Sequence, residues 1–185
     1  SDVTWAPGNS RAIVAYPDGS KVLYDFATQQ QSTLPRAMSS FSFDPSGTKL
    51  ASLYLGSSRA EQWLVVSNAD GSQIQLVEPV GGKVQNFKPS WSPIGQIVGL
   101  FAEAVDGDRQ EVVPIGRNGE NFRSFLAPGR GFTAACAPSG ERILYSVHNA
   151  ASQGRPELYL ADGRADSFGA NSVSLGLATS ADWCS

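Results

Sequence analysis

Apolar and polar residues alternate with a period of two through most of this chain, in short runs broken by Gly, Pro, Asn and Asp. That pattern predicts short β-strands joined by tight turns. It is clearest between Ser39 and Val77. Ser39 to Phe43 predicts a first strand and Lys49 to Leu55 a second. Glu61 to Ser67, with Trp63, Val65 and Val66, predicts a third, and Gln73 to Val77 an outer, half-exposed fourth. The connections are a Pro45-Ser46-Gly47 turn, a polar hairpin at Gly56 to Ala60, and Asn68-Ala69-Asp70-Gly71, an Asp-Gly turn that favours positive φ.

The stretch Phe41-Ser42-Phe43-Asp44-Pro45-Ser46-Gly47 is one copy of a recurring cassette. Others are Trp91-Ser92-Pro93-Ile94-Gly95, Cys136-Ala137-Pro138-Ser139-Gly140 and a looser Trp5-Ala6-Pro7-Gly8-Asn9. A fifth begins at Ser180-Ala181-Asp182-Trp183-Cys184-Ser185. The spacing, roughly 38 to 48 residues, is that of a four-stranded propeller blade. The repeats fall at 1–38, 39–86, 87–131 and 132–179, with a fifth starting at 180–185.

The later repeats follow the same plan. The third predicts strands at Gln96 to Ala102, Gln110 to Ile115 and Asn121 to Leu126, with an irregularity at Pro114, which has no N–H for a ladder. The fourth predicts strands at Arg142 to His148, Glu157 to Leu160 and Ser172 to Leu177, with a turn at Ala161-Asp162-Gly163. The first predicts Ala12 to Tyr16 and Lys21 to Phe26 around Pro17-Asp18-Gly19-Ser20. No helix of consequence is expected. The fold class is therefore all-β, a β-propeller of four-stranded antiparallel blades with about four blades present, part of a larger propeller of six or seven.

Blades pack face to face, so the aromatic ending the first strand is expected to wedge between neighbours and bury about 150–250 Å². Trp5, Trp63, Trp91 and Trp183 all read as core positions, and Cys136 predicts a smaller wedge. Proline sets φ and glycine supplies the positive φ that reverses the chain.

These cassettes resemble the WD40-like repeat of TolB-type propellers, in which an aromatic-Ser-Pro-Asp-Gly turn precedes an apolar strand. The match departs from that pattern at Cys136, at Asn9 where the turn glycine is expected, and at Ser46, Ile94 and Ser139 where Asp is commonest. The resemblance spans nearly the whole chain. It implies a propeller that binds partner proteins in the cell envelope, which favours a periplasmic or extracellular setting. A scaffold of this kind hosts many activities, so function has to be argued from sites.

Four blades with five first strands leave one strand without a sheet, and an open array leaves edges that pair with other chains. Two expectations follow: these residues belong to a longer propeller, or a second copy completes a partial array by strand exchange.

Composition narrows the classes. The chain has 185 residues, is 41% hydrophobic and 17% charged, and carries a net charge of -3, which does not suit a nucleic-acid surface. No apolar run reaches the roughly 18 residues that would cross a bilayer, so no membrane insertion is expected. There is no initiating Met and no signal peptide, so compartment is not legible. Cys136 and Cys184 lie too far apart in sequence for a redox or zinc pair and read as buried free thiols.

Candidate chemistry is sparse. His148, the sole histidine, reads as a loop residue. No Gly-x-Ser-x-Gly elbow accompanies it, catalytic zinc takes two or three histidines, and propeller lyases of acidic sugars use several. Asp106-Gly107-Asp108 starts like a calcium loop but lacks its remaining oxygen ligands. Gly129-Arg130-Gly131 follows no strand-to-helix pattern that would cradle phosphate. Arg117, Arg123 and Arg130 read as a solvated basic face. No catalytic residue, cofactor or metal is expected.

The leading expectation is a non-catalytic scaffold whose partner is another protein. It would bind through the hairpins between second and third strands: Gly56, Ser57, Ser58 and Arg59; Asp106, Asp108 and Arg109; and His148, Asn149 and Arg155. The alternatives are the accessory or gating propeller of a larger enzyme, such as a prolyl-oligopeptidase-like peptidase, and a sugar-binding propeller. Self-association through unclosed blade edges is a further expectation.

Overall fold

The computed structural model describes residues 2–150 and 152–178, so the fifth cassette, with Trp183 and Cys184, lies outside the described residues. The described residues form sixteen strands in four antiparallel sheets, each of four strands taken in chain order. The first sheet is β1 (Asp2–Trp5), β2 (Arg11–Ala15), β3 (Lys21–Asp25) and β4 (Gln30–Thr33). The second is β5 (Met38–Phe43), β6 (Lys49–Leu55), β7 (Gln62–Asn68) and β8 (Gln75–Pro79). The third is β9 (Phe87–Pro89), β10 (Ile97–Ala104), β11 (Arg109–Gly116) and β12 (Phe125–Pro128). The fourth is β13 (Arg130–Cys136), β14 (Arg142–His148), β15 (Pro156–Asp162) and β16 (Val173–Leu177). The described helices are single 3-10 turns. These sheets are propeller blades, and the alternating pattern places most strands within a residue or two.

The chain divides into two compact units, residues 1–99 with 116–120, and residues 100–115 with 121–185. In the first unit, blade 2 packs on blade 1. Phe43 and Leu50 of blade 2 meet Ile13, Leu23 and Leu34 of blade 1, with Ala6 and Ala69 closing the cluster. Phe43 thus wedges between blades as expected. Arg11 adds a strap: its Nε donates to Asp25 at 2.8 Å, and its Nη1 reaches the Gly47 carbonyl in the blade 2 cassette at 2.8 Å. Trp91 is buried too, and its backbone N–H donates to Ser42 Oγ at 2.8 Å.

The cassette turn forms for the expected reason, with one substitution. Gly47, Gly95 and Gly140 sit at φ of 68°, 77° and 73°, and Asn9, in the first copy, adopts φ of 55° in their place. Asparagine is among the few residues that tolerate this region.

Two expectations are corrected. Trp5 is 54% exposed, although Phe43 in the same register is 6% exposed. Trp5 stacks on Phe26 at 5.8 Å, and both rings are exposed. Trp63 is half-buried, its indole N–H on the Ala60 carbonyl at 3.1 Å. The Asp162-Gly163 pair is not a two-residue turn. The connection runs on to Ser172 and is closed by Asp162 N–H to the Ala170 carbonyl at 2.9 Å and Gly169 N–H to the Asp162 carbonyl at 2.8 Å. Gly163 is there for space, since a Cβ would stand 2.9 Å from the Arg142 backbone.

In the second unit, β11 and β12 pair regularly only from Arg109↔Pro128 to Val112↔Phe125. An isolated bridge, Ile115↔Asn121, follows beyond Pro114. Three residues there oppose two, the irregularity expected of a proline without an N–H. Around half-buried Cys136, whose thiol burial pushes up, bulk comes from elsewhere. Phe125 packs against Phe132, Tyr145 and Phe168 at 5.8 to 5.9 Å, and Tyr145 stacks on Tyr159 at 5.0 Å.

Candidate functional site

The predicted recognition loops divide between the units. In the first, Gly56, Ser57, Ser58 and Arg59 form a turn locked by Glu61. Its Oε2 accepts the Ser57 N–H and Oγ–H, each at 2.9 Å, and the Ser58 N–H at 3.4 Å, completing a capping box. The Ser57 hydroxyl leads in holding the Glu61 carboxyl below its ordinary range, with the Ser58 and Ser57 N–H groups behind it. A side chain at position 56 would collide with Glu61, and Arg59 lies along Gly82.

In the second unit the structure joins what the sequence left separate. Asp106 caps the hairpin between β10 and β11. Its Oδ1 accepts the Asp108 N–H at 2.9 Å, and its Oδ2 accepts Arg109 Nε and Nη2 at 2.8 and 2.6 Å. The Arg109 guanidinium first, then the Asp108 N–H, lowers the Asp106 pKa, and the same carboxylate raises that of Arg109. Gly129 alone separates β12 from β13. Its N–H donates to the Asp108 carbonyl at 2.6 Å. With φ of 70° and a Cβ site 2.5 Å from the His148 carbonyl oxygen, only glycine fits there.

Arg130 then folds back over the hairpin, donating to the Asp106 carbonyl and, at 3.4 Å, to the Gly107 carbonyl. Buried Gln110 braces the crossing from below. Its Nε2 donates to the Gly129 carbonyl at 3.1 Å, and its Oε1 accepts the Phe132 N–H at 3.3 Å. On the other side, His148 Nδ1–H donates to the Gly154 carbonyl at 2.8 Å. Asn149 accepts the Ser152 N–H at 2.7 Å and donates to the Glu157 carboxylate. The Arg155 N–H meets the Ser152 carbonyl at 3.0 Å, leaving its side chain exposed.

Asp106, Asp108, Arg109, His148, Asn149 and Arg155 therefore lie on one rim, knitted together by Gly129-Arg130-Gly131. The sequence reading missed the structural part played by that tripeptide and by Gln110. Two glycines flanking an arginine between strands were the available signal. The rim presents charged and hydrogen-bonding groups whose geometry is set by backbone contacts, which suits recognition. Among the described residues, no group of three or more His, Cys, Asp or Glu side chains is placed to hold a metal ion. No described helix is long and apolar enough to cross a membrane.

No family profile matches the chain, and no curated protein matches it by sequence. Solved structures do. The β-propeller domain of the trilobed protease from Pyrococcus furiosus, described as having an open velcro topology, aligns at TM-score 0.62 and 12% identity. That alignment covers 95% of this chain and 56% of that one. A structure of prolyl endopeptidases aligns at 0.60 and 12% identity over 97% of this chain and 29% of that one. The acylaminoacyl peptidase of Pyrococcus horikoshii aligns at 0.57 and 13% identity over 89% and 30%. The chain thus spans about half the length of the first and less than a third of the other two. At these identities the common ground is the fold, and that fold is the four-stranded antiparallel blade of a β-propeller.

Proposed function

We propose that this chain is a non-catalytic propeller scaffold that recognises another protein through the rim at Gly129-Arg130-Gly131. One observation carries the reading: Arg130 ties the Asp106 to Arg109 hairpin to the strand that begins beside His148. Exposed polar groups are thereby held in place before a partner arrives, which lowers the ordering cost of association. The cassette's resemblance to TolB-type repeats supports a partner in the cell envelope.

A photo-crosslinking residue placed at Arg155 tests this. Crosslinking to a defined protein is expected from that position and not from Thr28, an exposed turn in the other unit. The yield should drop when Arg109 and Arg130 are both replaced by Ala. Unchanged capture by that double variant, or equal capture from Thr28, refutes the reading.

The peptidase neighbours favour a second reading, an accessory or gating propeller domain of a larger enzyme. The rim's partner would then be a catalytic domain. A Gly-x-Ser-x-Gly elbow in the same polypeptide or in the crosslinked protein supports that version, and a partner without any hydrolase site removes it.

A further inference from the structure

Asn118-Gly119 is the sole Asn-Gly step in the chain, and it forms the tip of the turn that leaves β11. The turn is closed by Gly116 N–H to the Glu120 carbonyl at 2.7 Å and by Gly119 N–H to the Gly116 carbonyl at 3.0 Å. Gly119 ends the loop at φ of 79°, and a Cβ there would stand 2.9 Å from the Val77 carbonyl oxygen. Only glycine meets both conditions. The residue after Asn118 therefore has no side chain to shield its backbone nitrogen.

Glu120 folds back over the same turn. Its Oε2 accepts the Asn118 N–H at 2.7 Å, and its Oε1 accepts Asn118 Nδ2–H at 3.3 Å. Asn118 itself is exposed. The fold thus places a side-chain amide next to an unshielded backbone nitrogen at an exposed loop tip. Two contacts keep them from reacting: the Gly119 bond to Gly116, and the hold of Glu120 on Asn118.

We infer that Asn118 is a site of spontaneous deamidation whose rate is set by the opening of this turn. Exposed loop tips open locally without global unfolding. In the opened turn the Gly119 N–H loses its proton to solvent base, and the nitrogen attacks Asn118 Cγ. The N–Cγ bond forms, the Cγ–Nδ2 bond breaks, and ammonia leaves with a proton taken from water. Water then opens the cyclic imide at either carbonyl, giving aspartate or isoaspartate. Overall, one water enters and one ammonia departs.

Either product adds a negative charge to a chain of net charge -3. It also puts a carboxylate where the Asn118 amide donated to Glu120, so like charges face each other across the turn. Isoaspartate further lengthens the backbone between Gly116 and Gly119 and breaks the match that closes the loop. The reaction needs no partner and is independent of the recognition rim.

Peptide mapping by mass spectrometry after incubation at mildly alkaline pH tests it. The tryptic peptide 118–123 carries Asn118 before Gly and Asn121 before Phe, so its fragment ions compare the two within one molecule. A gain of about 1 Da is expected at Asn118 before any at Asn121, with aspartate and isoaspartate forms separating on chromatography. Isoelectric focusing should show a matching acidic shift that Asn118→Gln abolishes. Glu120→Ala releases the hold on Asn118 and should deamidate about tenfold faster than the wild type when folded. In urea the two should react alike, and both faster than the folded wild type. An Asn118 that stays intact, or another asparagine that converts first, overturns the inference. So does a Glu120→Ala variant that reacts no faster than the folded wild type. Should that variant fail to fold, the wild type decides alone: equal rates in buffer and in urea overturn control by the turn.

Discussion

Phe43 and Trp5 hold the same place in the same repeat, yet one is 6% and the other 54% exposed. Each ends the first strand of its blade and is followed by a proline-containing turn. What differs is the neighbour. Phe43 meets Ile13 and Leu23 across the blade interface, whereas Trp5 stacks on Phe26 of its own blade, with Tyr24 beyond it. Whether a repeat residue contributes to stability is thus a property of the pair of blades, as in other arrays where each unit completes the core of the next.

The largest break in this comparison comes from truncation. Phe43→Ala should cost about 3–5 kcal/mol, the usual loss for a buried aromatic. Trp5→Ala should stay within about 0.5 kcal/mol. Urea denaturation of both variants decides it, and equal losses would mean that Trp5 is as enclosed as Phe43.

A smaller contrast lies in the turn that follows each aromatic. Gly47→Ala places a Cβ in the left-handed region, 3.3 Å from Ala6 Cβ, and should cost about 1–3 kcal/mol. Asn9→Gly, at the corresponding position, should change stability by only a few tenths of a kcal/mol, since Asn already adopts that conformation at little cost. Thermal melts of the two variants separate them.

The smallest effect is the share of the acid response that comes from the second cassette. Burial raises the Asp44 pKa, but the Ser46 hydroxyl and the Lys49 and Thr48 N–H groups outweigh it, so the carboxyl sits below its ordinary value. A depressed folded-state pKa means that the stabilisation is complete above the unfolded value, about 3.9. It is lost as the pH falls through the lower folded value. Melting temperature should therefore fall on acidification below about pH 4, and Asp44→Asn should remove its share of that fall while those of Glu61 and Asp106 remain. The matching residues Ala6, Ser92 and Ala137 carry no charge, so a variant that keeps the full acid response would place its origin elsewhere.

The candidate site was less legible than the blades. Asp106, Asp108, Arg109, His148, Asn149 and Arg155 could be singled out because hairpin loops announce themselves by composition. Their assembly depended on Gly129, whose two close approaches, to the Asp108 and His148 carbonyls, join segments far apart in sequence. A tripeptide read only as a failed phosphate motif could not show that. Gln110 was equally hidden, because a buried glutamine inside a strand looks like any outward-facing polar residue until its two backbone partners are in place.

Local chemistry alone determined the strands, the turns and the repeat. Alternation gives Lys49–Leu55 and Arg142–His148 their bounds. The Asp-Gly steps at Gly19 and Gly71 reverse the chain with φ of 83° and 78° because a three-residue hairpin loop ends on a left-handed residue. These are decisions made within a few residues, by sterics and by the polarity of adjacent positions. Tertiary structure decided which wedge is buried, why Gly163 must be small, and which loops share a rim. Each of those depends on a backbone or side chain brought close from another part of the chain, and burial acts only on surfaces that have met.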